Sequence, residues 1–175
     1  MGIKRPDWDE YFMNIARDIS LRCTCLCVRI GAIIVKDKRI VSTGYIGAPR
    51  KTKDCIDRGK CLRRELGVPS GHRYELCRSV HAEQNAIINA ARDGAKINEG
   101  EMYIYGTKIY EGKEKLLDIY PCFICKKMII NSGLKKVRLM TNEGIKKHDV
   151  MDWSKDWQER DMLDDMDVYD AEYKK

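Results

Sequence analysis

The sequence predicts an α/β domain in which helices are layered on a mixed β-sheet. Three observations favour this fold class. Apolar residues recur at helical spacing within Asp7–Leu21, the nearly continuous apolar run Ile30–Lys36 is typical of a buried strand, and later helical and strand patterns alternate along the chain. An early hairpin gives antiparallel pairing and the later alternation gives parallel pairing, so the sheet is expected to be mixed.

The first half of the chain contains one helix, one hairpin and a long irregular segment. Asp7 is a plausible N-cap for the first helix. The strand Ile30–Lys36 and the run Arg39–Thr43 flank a turn at Asp37-Lys38, so the pair is predicted to be a β-hairpin. Residues 44–80 are rich in Gly, Pro and Cys, and a loop of that length in a compact domain is usually functional or cross-linked.

The second half predicts two further helices and two further strands. A helix is expected over His81–Asp93, and another opens at Pro121 and ends before Gly133. The predicted strands are Glu101–Gly106 and Lys136–Thr141. The charged stretch Lys108–Ile119 between these elements is interpreted as an excursion from the fold.

Charge divides the chain into two parts. The net charge is +6, but residues 149–175 hold ten acidic and four basic residues, so residues 1–148 carry the basic excess. We therefore predict a domain over 1–148 and an acidic, partly packed tail over 149–175. A basic domain suits a phosphate-bearing partner, although a merely solvated surface is the alternative.

The eight cysteines favour metal binding. The N-terminus lacks the apolar segment of a secretion signal, and no stretch approaches the roughly 20 apolar residues that cross a membrane. We therefore expect a cytoplasmic protein that makes no membrane contact. In a reducing cytosol, cysteines are used for metal sites or catalysis more often than for disulfides.

Two helix starts carry the candidate chemistry. His81 and Glu83 open one helix, and Cys122 and Cys125 follow Pro121 at the start of the other. This pairing of H-x-E with P-C-x-x-C is an established signature of zinc deaminases. Three protein ligands leave a zinc ion one open position for water, as catalytic zinc sites require. We predict one catalytic zinc held by His81, Cys122 and Cys125.

Glu83 is the predicted catalytic residue. Zinc lowers the pKa of bound water from about 16 to about 7. In this hypothesis zinc-bound hydroxide attacks C4 of cytosine while Glu83 carries protons to N3 and to the departing ammonia. Alternative functions are deamination of tRNA or single-stranded DNA, and a non-catalytic, zinc-stabilised binding protein. Glu83 argues against the last, because a structural site needs no proton shuttle.

Several segments resemble the deoxycytidylate deaminase family: DWDEYFMNIA, C-T-C with IGAIIVKDKRIVSTGY, GAP at 47–49, CRSVHAEQNAI at 77–87 and PCFICKKMIINSGLKKV at 121–137. The resemblance implies a cytidine-deaminase-like three-layer α/β/α sandwich around a five-stranded sheet. It implies conversion of dCMP to dUMP, with dCTP or a modified dCMP as other candidate substrates. It also implies a homo-oligomer, such as a hexamer, with dCTP and dTTP as effectors.

The substrate contacts follow from the same resemblance. Ile46 replaces an Asn that is common in the family, and Cys27 replaces an Arg. Ile46, Ala82, Tyr120 and Arg29 are the predicted substrate contacts, with simple packing as the alternative for Tyr120. A bidentate arginine contact suits the phosphate, and the candidates are Arg22, Arg29, Arg50 and Arg78.

Six further cysteines raise the question of a second zinc ion. Some relatives carry a structural zinc in this region, and a four-ligand site would order the irregular segment. The predicted ligands are Cys25, Cys55, Cys61 and Cys77, with His72 or Cys23 as substitutes. The alternative is a set of buried free thiols.

Overall fold

The computed structural model describes residues 5–69 and 72–160. Its strands are β1 (Val28–Lys36), β2 (Arg39–Tyr45), β3 (Glu101–Tyr110), β4 (Lys113–Leu116), β5 (Lys136–Thr141) and β6 (Gly144–Asp149). Its helices are α1 (Trp8–Ser20), α2 (Cys55–Arg58), α3 (Leu62–Glu65), α4 (Ala82–Arg92), α5 (Phe123–Asn131) and α6 (Val150–Glu159), with a 3₁₀ turn at Tyr74–Leu76. No helix in these ranges is long and apolar enough to span a bilayer.

The sheet is mixed, as predicted. Its strand order is β2-β1-β3-β5-β6, and β4 pairs with the second half of β3. The β3–β5 pair is parallel, whereas the other neighbours are antiparallel. The described residues therefore form six strands where five were expected, because the β3–β4 hairpin adds a short edge strand.

The β3–β4 hairpin corrects the interpretation of Lys108–Ile119 as an excursion. β3 continues to Tyr110, the chain turns at Glu111 and Gly112 with positive φ angles of 48° and 73°, and β4 returns along β3. The segment KEKL of β4 is charged because it lies at an edge, where charges discourage pairing with other chains.

The predicted first helix and first hairpin are confirmed. Asp7 caps α1, and its carboxylate accepts the backbone N–H of Glu10 at 2.8 Å while Glu10 accepts the N–H of Asp7. Asp37 and Lys38 adopt φ angles of 51° and 59°, the left-handed pair that matches the twist of a tight hairpin.

Helices cover both faces of the sheet, so the predicted three layers are confirmed. On one face Phe12, Met13 and Ala16 of α1 pack on Ile33 and Tyr103. On the other face α4, α5 and α6 pack on alternate residues of the same strands. The second cluster includes Ala32, Ile34, Met102, Ile104, Val137 and Leu139 of the sheet with Ala82, Ala86, Ile129, Val150 and Trp153 of the helices.

The start of the predicted acidic tail belongs to this second cluster. Asp149 ends β6, and Val150 and Trp153 of α6 are 3% and 6% exposed. Helix α6 therefore contributes to the core. Residues 161–175 lie outside the described residues, and the division at residue 148 stays a prediction.

The sheet and α4 touch through their main chains at Gly44. A Cβ atom at this position would lie 2.3 Å from both the Ala82 carbonyl oxygen and the Ala86 nitrogen. Any larger residue would therefore push α4 away from β2. This contact sets the depth at which α4 lies on the sheet.

We expect Gly44→Ala to lower the free energy of unfolding by about 1–3 kcal/mol, because overpacking forces backbone shifts. Urea denaturation measures this change. Gly47→Ala is the control, since a Cβ there would meet only side-chain atoms, at 3.2 Å and beyond. Equal stability of the two variants would contradict the proposed clash.

Candidate active site and metal centre

The end of β2 holds the start of α4 in place. Gly47 and Val80 exchange two backbone hydrogen bonds of 3.2 and 2.8 Å, which fixes the chain directly before His81. Asn85 Nδ2 donates to the Tyr45 carbonyl oxygen at 2.8 Å. His81 is the N-cap of α4, and its N–H donates to Gln84 Oε1 at 3.1 Å.

The two sulfur atoms come from the first turn of α5. Cys122 is the N-cap and Cys125 lies three residues further, so both side chains reach the same end of the helix. Pro121 precedes the cap and lies outside the first turn. The positive end of the helix dipole favours thiolates at this place.

His81, Cys122 and Cys125 come together as the sequence predicts. The His81 Nδ1 atom lies 3.5 Å from Cys122 Sγ and 3.4 Å from Cys125 Sγ. Within residues 5–69 and 72–160, this is the one group of three or more His, Cys, Asp or Glu side chains whose ligand atoms all lie within 4.8 Å of one another. One imidazole and two sulfurs are ligands that zinc prefers, so the donor set fits this ion.

The electrostatics of the site favour a thiolate at Cys122. The hydrogen bond from Cys125 and the contact with His81 together lower the pKa of Cys122 to about 4, although burial opposes the shift. Burial by itself lowers the pKa of His81, but the hydrogen bond with Cys122 and the negative charge of Glu83 raise it overall. Thiolate is the form of cysteine that binds metal.

Glu83 lies beside these ligands and is 5% exposed. Burial raises the pKa of its carboxyl group, although the nearby His81 lowers it, and its side chain hydrogen-bonds to Cys125. A raised carboxyl pKa makes proton uptake and release near neutral pH easier, as a general acid–base requires. The described structure therefore places a buried carboxyl group next to the candidate metal ligands.

These features coincide with a known family. The family model of the cytidine and deoxycytidylate deaminase zinc-binding region matches residues 6–141. The chain belongs to this family. A deoxycytidylate deaminase of Mycobacterium phage D29 is 36% identical over 140 residues, which cover 77% of this chain and 95% of that protein.

Longer and structurally characterised relatives agree. A deoxycytidylate deaminase of Schizosaccharomyces pombe is 31% identical over 144 residues, which are 82% of this chain but 40% of that protein. The crystal structure of dCMP deaminase from cyanophage S-TIM5, in complex with dCMP and dUMP, matches at 27% identity with a TM-score of 0.54. This match covers 78% of this chain and 82% of that chain, and it agrees with the predicted cytidine-deaminase-like fold.

The predicted substrate contacts occupy different surroundings. Ile46 and Ala82 are buried near the start of α4, and Ile46 donates its backbone N–H to the Ile30 carbonyl oxygen. The Tyr120 ring packs against His148 and Trp153, with centroid distances of 5.4 and 6.1 Å. Their roles toward substrate stay predictions.

Three of the four arginines predicted to bind phosphate contact other groups of the protein. Arg29 forms an ion pair with Glu114 of β4 at 2.7 Å. Arg50 donates to Asn89 Oδ1 at 3.2 Å, and Arg78 donates to the Lys60 carbonyl oxygen at 3.1 Å. Arg22 is exposed beside the end of α1. Phosphate binding by these four residues stays a prediction.

The cysteines predicted to bind a second zinc are less tightly grouped. Among the described residues, no three of Cys25, Cys55, Cys61 and Cys77 place their sulfurs within the 4.8 Å that the His81 group satisfies. They still lie near enough to interact, since burial and then the thiols of Cys25, Cys61 and Cys77 raise the pKa of Cys55. The second zinc stays a prediction.

Two residues next to the candidate centre were not predicted from the sequence. Tyr74 packs edge-on against the His81 ring, with centroids 5.1 Å apart, and the Arg63 guanidinium carbon lies 4.9 Å from the centre of the Tyr74 ring. Both lie in the irregular segment between β2 and α4. Because that segment has no hydrophobic period, no sequence pattern indicated which of its side chains face the site.

Proposed function

We propose that this protein hydrolyses dCMP to dUMP and ammonia. The observation that carries the proposal is the convergence of His81, Cys122 and Cys125 with a buried Glu83 at two helix starts. Membership of the deaminase family and the likeness to a dCMP deaminase that binds dCMP and dUMP support the same substrate.

The chain's own residues suit a hydrolytic deamination. His81, Cys122 and Cys125 would hold a zinc ion, which supplies an acidified water molecule as nucleophile near neutral pH. Glu83 accepts the proton of that water and delivers it to N3 of the base while the C4–oxygen bond forms. Glu83 then transfers the second proton of the same water molecule to the amino group. The C4–nitrogen bond breaks and ammonia is released.

Ammonia release from a panel of substrates tests this function. The panel contains dCMP, dCTP, CMP, deoxycytidine and single-stranded DNA, each with and without added dCTP as effector. We expect the highest kcat/KM with dCMP. Activity on nucleic acid alone would favour a polynucleotide deaminase, and zinc-loaded protein inactive on every substrate would favour a binding protein.

We also propose that a structural zinc is bound by Cys25, Cys55, Cys61 and Cys77. The support is their charge interactions, since burial and then the nearby thiols of Cys25, Cys61 and Cys77 raise the pKa of Cys55. Fully loaded protein is expected to contain two zinc ions per chain, and Cys55→Ser protein is expected to contain one. Elemental analysis giving one zinc in the unaltered protein would exclude the second site.

Assembly and regulation are part of the proposal. We expect a homo-oligomer, such as a hexamer, that responds to dCTP and dTTP, as the resemblance to the deoxycytidylate deaminases implies. A cytoplasmic location is supported by the eight free cysteines, which a reducing compartment preserves. Light scattering with and without dCTP tests the assembly, and a monomer under all conditions would contradict it.

A further inference from the structure

A cation and an aromatic ring approach the candidate metal centre from the irregular segment. Arg63 lies on α3 and Tyr74 on the 3₁₀ turn before α4. The guanidinium lies over the Tyr74 ring, and that ring meets His81 edge-on. A cation over an aromatic face is attracted by the ring quadrupole, so Tyr74 fixes the orientation of the guanidinium.

Arg63 has hydrogen-bonding capacity that the described protein residues leave unused. One terminal nitrogen donates to the Pro69 carbonyl oxygen at 2.8 Å. The Nε atom is buried and has no hydrogen-bond partner among the described residues. A buried donor without an acceptor costs folding free energy, so this nitrogen is suited to receive an acceptor oxygen from a bound ligand.

The charge of Arg63 also reaches the site. Its guanidinium carbon lies 4.9 Å from the centre of the Tyr74 ring, which in turn lies 5.1 Å from the centre of the His81 ring. Arg29, by contrast, is neutralised by Glu114. Arg63 therefore offers positive potential beside the ligand group, together with the planar fork of donors that suits phosphate oxygens.

We propose that Arg63, oriented by Tyr74, binds the 5′-phosphate of the nucleotide substrate. This inference rests on the proposed function. In a nucleotide, the phosphate is separated from the reacting ring carbon by the sugar and the base. The Tyr74 ring likewise separates the Arg63 guanidinium from His81. Its centre lies 4.9 Å from the guanidinium carbon and 5.1 Å from the centre of the His81 ring. Arg63 would thus distinguish a nucleotide from its nucleoside.

The test compares dCMP with deoxycytidine in the zinc-loaded protein. Arg63→Gln is expected to raise the KM for dCMP by about 10- to 100-fold, the usual effect of losing a charge-assisted hydrogen bond. The kcat/KM for deoxycytidine is expected to change less than about twofold. Arg58→Gln is the matched control, because Arg58 is exposed on α2.

A binding measurement without turnover separates this inference from the proposed reaction. Calorimetry with dUMP and with deoxyuridine is expected to show weaker dUMP binding in Arg63→Gln and unchanged deoxyuridine binding. Arg63→Lys keeps the charge without the planar fork, so an intermediate dUMP affinity is expected. Equal losses for nucleotide and nucleoside, or unchanged dUMP affinity, would overturn the role of Arg63. Unaltered protein that binds dUMP but deaminates nothing would contradict the proposed function alone.

Discussion

Replacing Glu83 with Gln is expected to lower kcat for dCMP by about 10²- to 10⁴-fold while the catalytic zinc remains bound. A carboxamide keeps the size of the side chain but cannot accept the water proton, and general acid–base catalysis contributes a rate factor of this size. Ammonia release measures kcat, and elemental analysis measures the zinc content. The site keeps its three ligands, so metal affinity is expected to change little.

Glu99→Gln provides the matched control for this experiment. Glu99 is an exposed carboxylate whose ion pair with Lys135 spans 3.8 Å, so its loss is expected to leave turnover unchanged. Near-normal activity of the Glu83→Gln protein would remove Glu83 as the proton carrier. Loss of the catalytic zinc in that variant would instead make Glu83 a ligand or a support for a ligand.

Replacing Cys125 with Ser is expected to abolish both zinc binding at this centre and activity. Cys125 is fully buried and lies 3.4 Å from His81 Nδ1. A neutral hydroxyl is a much poorer zinc ligand than a thiolate, and the two remaining side chains are fewer than catalytic zinc sites use. Because zinc binds the folded state, added zinc is also expected to raise the Tm of the unaltered protein more than that of the variant.

Cys23→Ser serves as the comparison for the loss of a buried thiol. Cys23 Sγ donates to the Ile46 carbonyl oxygen at 3.1 Å, and a serine hydroxyl preserves this donor. We expect this variant to keep the catalytic zinc and the activity. A Cys125→Ser protein that retained normal turnover would contradict the metal centre, whatever its stability.

Local signals explain the parts of the fold and site that the sequence predicted. Asp7 and Glu10 form the cap that begins α1. The continuous apolar run of β1 reflects burial on both faces of the sheet. The site was predictable for a similar reason, because the spacing of Cys122 and Cys125 within one helical turn determines which way their sulfurs point.

Tertiary contacts explain the parts that the sequence did not reveal. β4 is charged and β6 reads GIKKHD, so neither has the apolar pattern of a strand, and each is defined by pairing with a neighbouring strand. α6 lies in the acidic region, yet its Trp153 is buried against the sheet. Tyr74 contacts His81, and Arg63 contacts Tyr74, only once the irregular segment has folded.

The contact between Gly44 and α4 has a consequence for how the enzyme tolerates change. Side chains in a core adjust to new neighbours by rotating about their bonds, but two main chains already in contact have no such freedom. Substitutions elsewhere in the core would therefore hardly change the distance between β2 and the backbone of α4, which carries Glu83. The helix that carries the Glu83 carboxylate is thus fixed by a main-chain contact, so its position depends little on which side chains fill the surrounding layers.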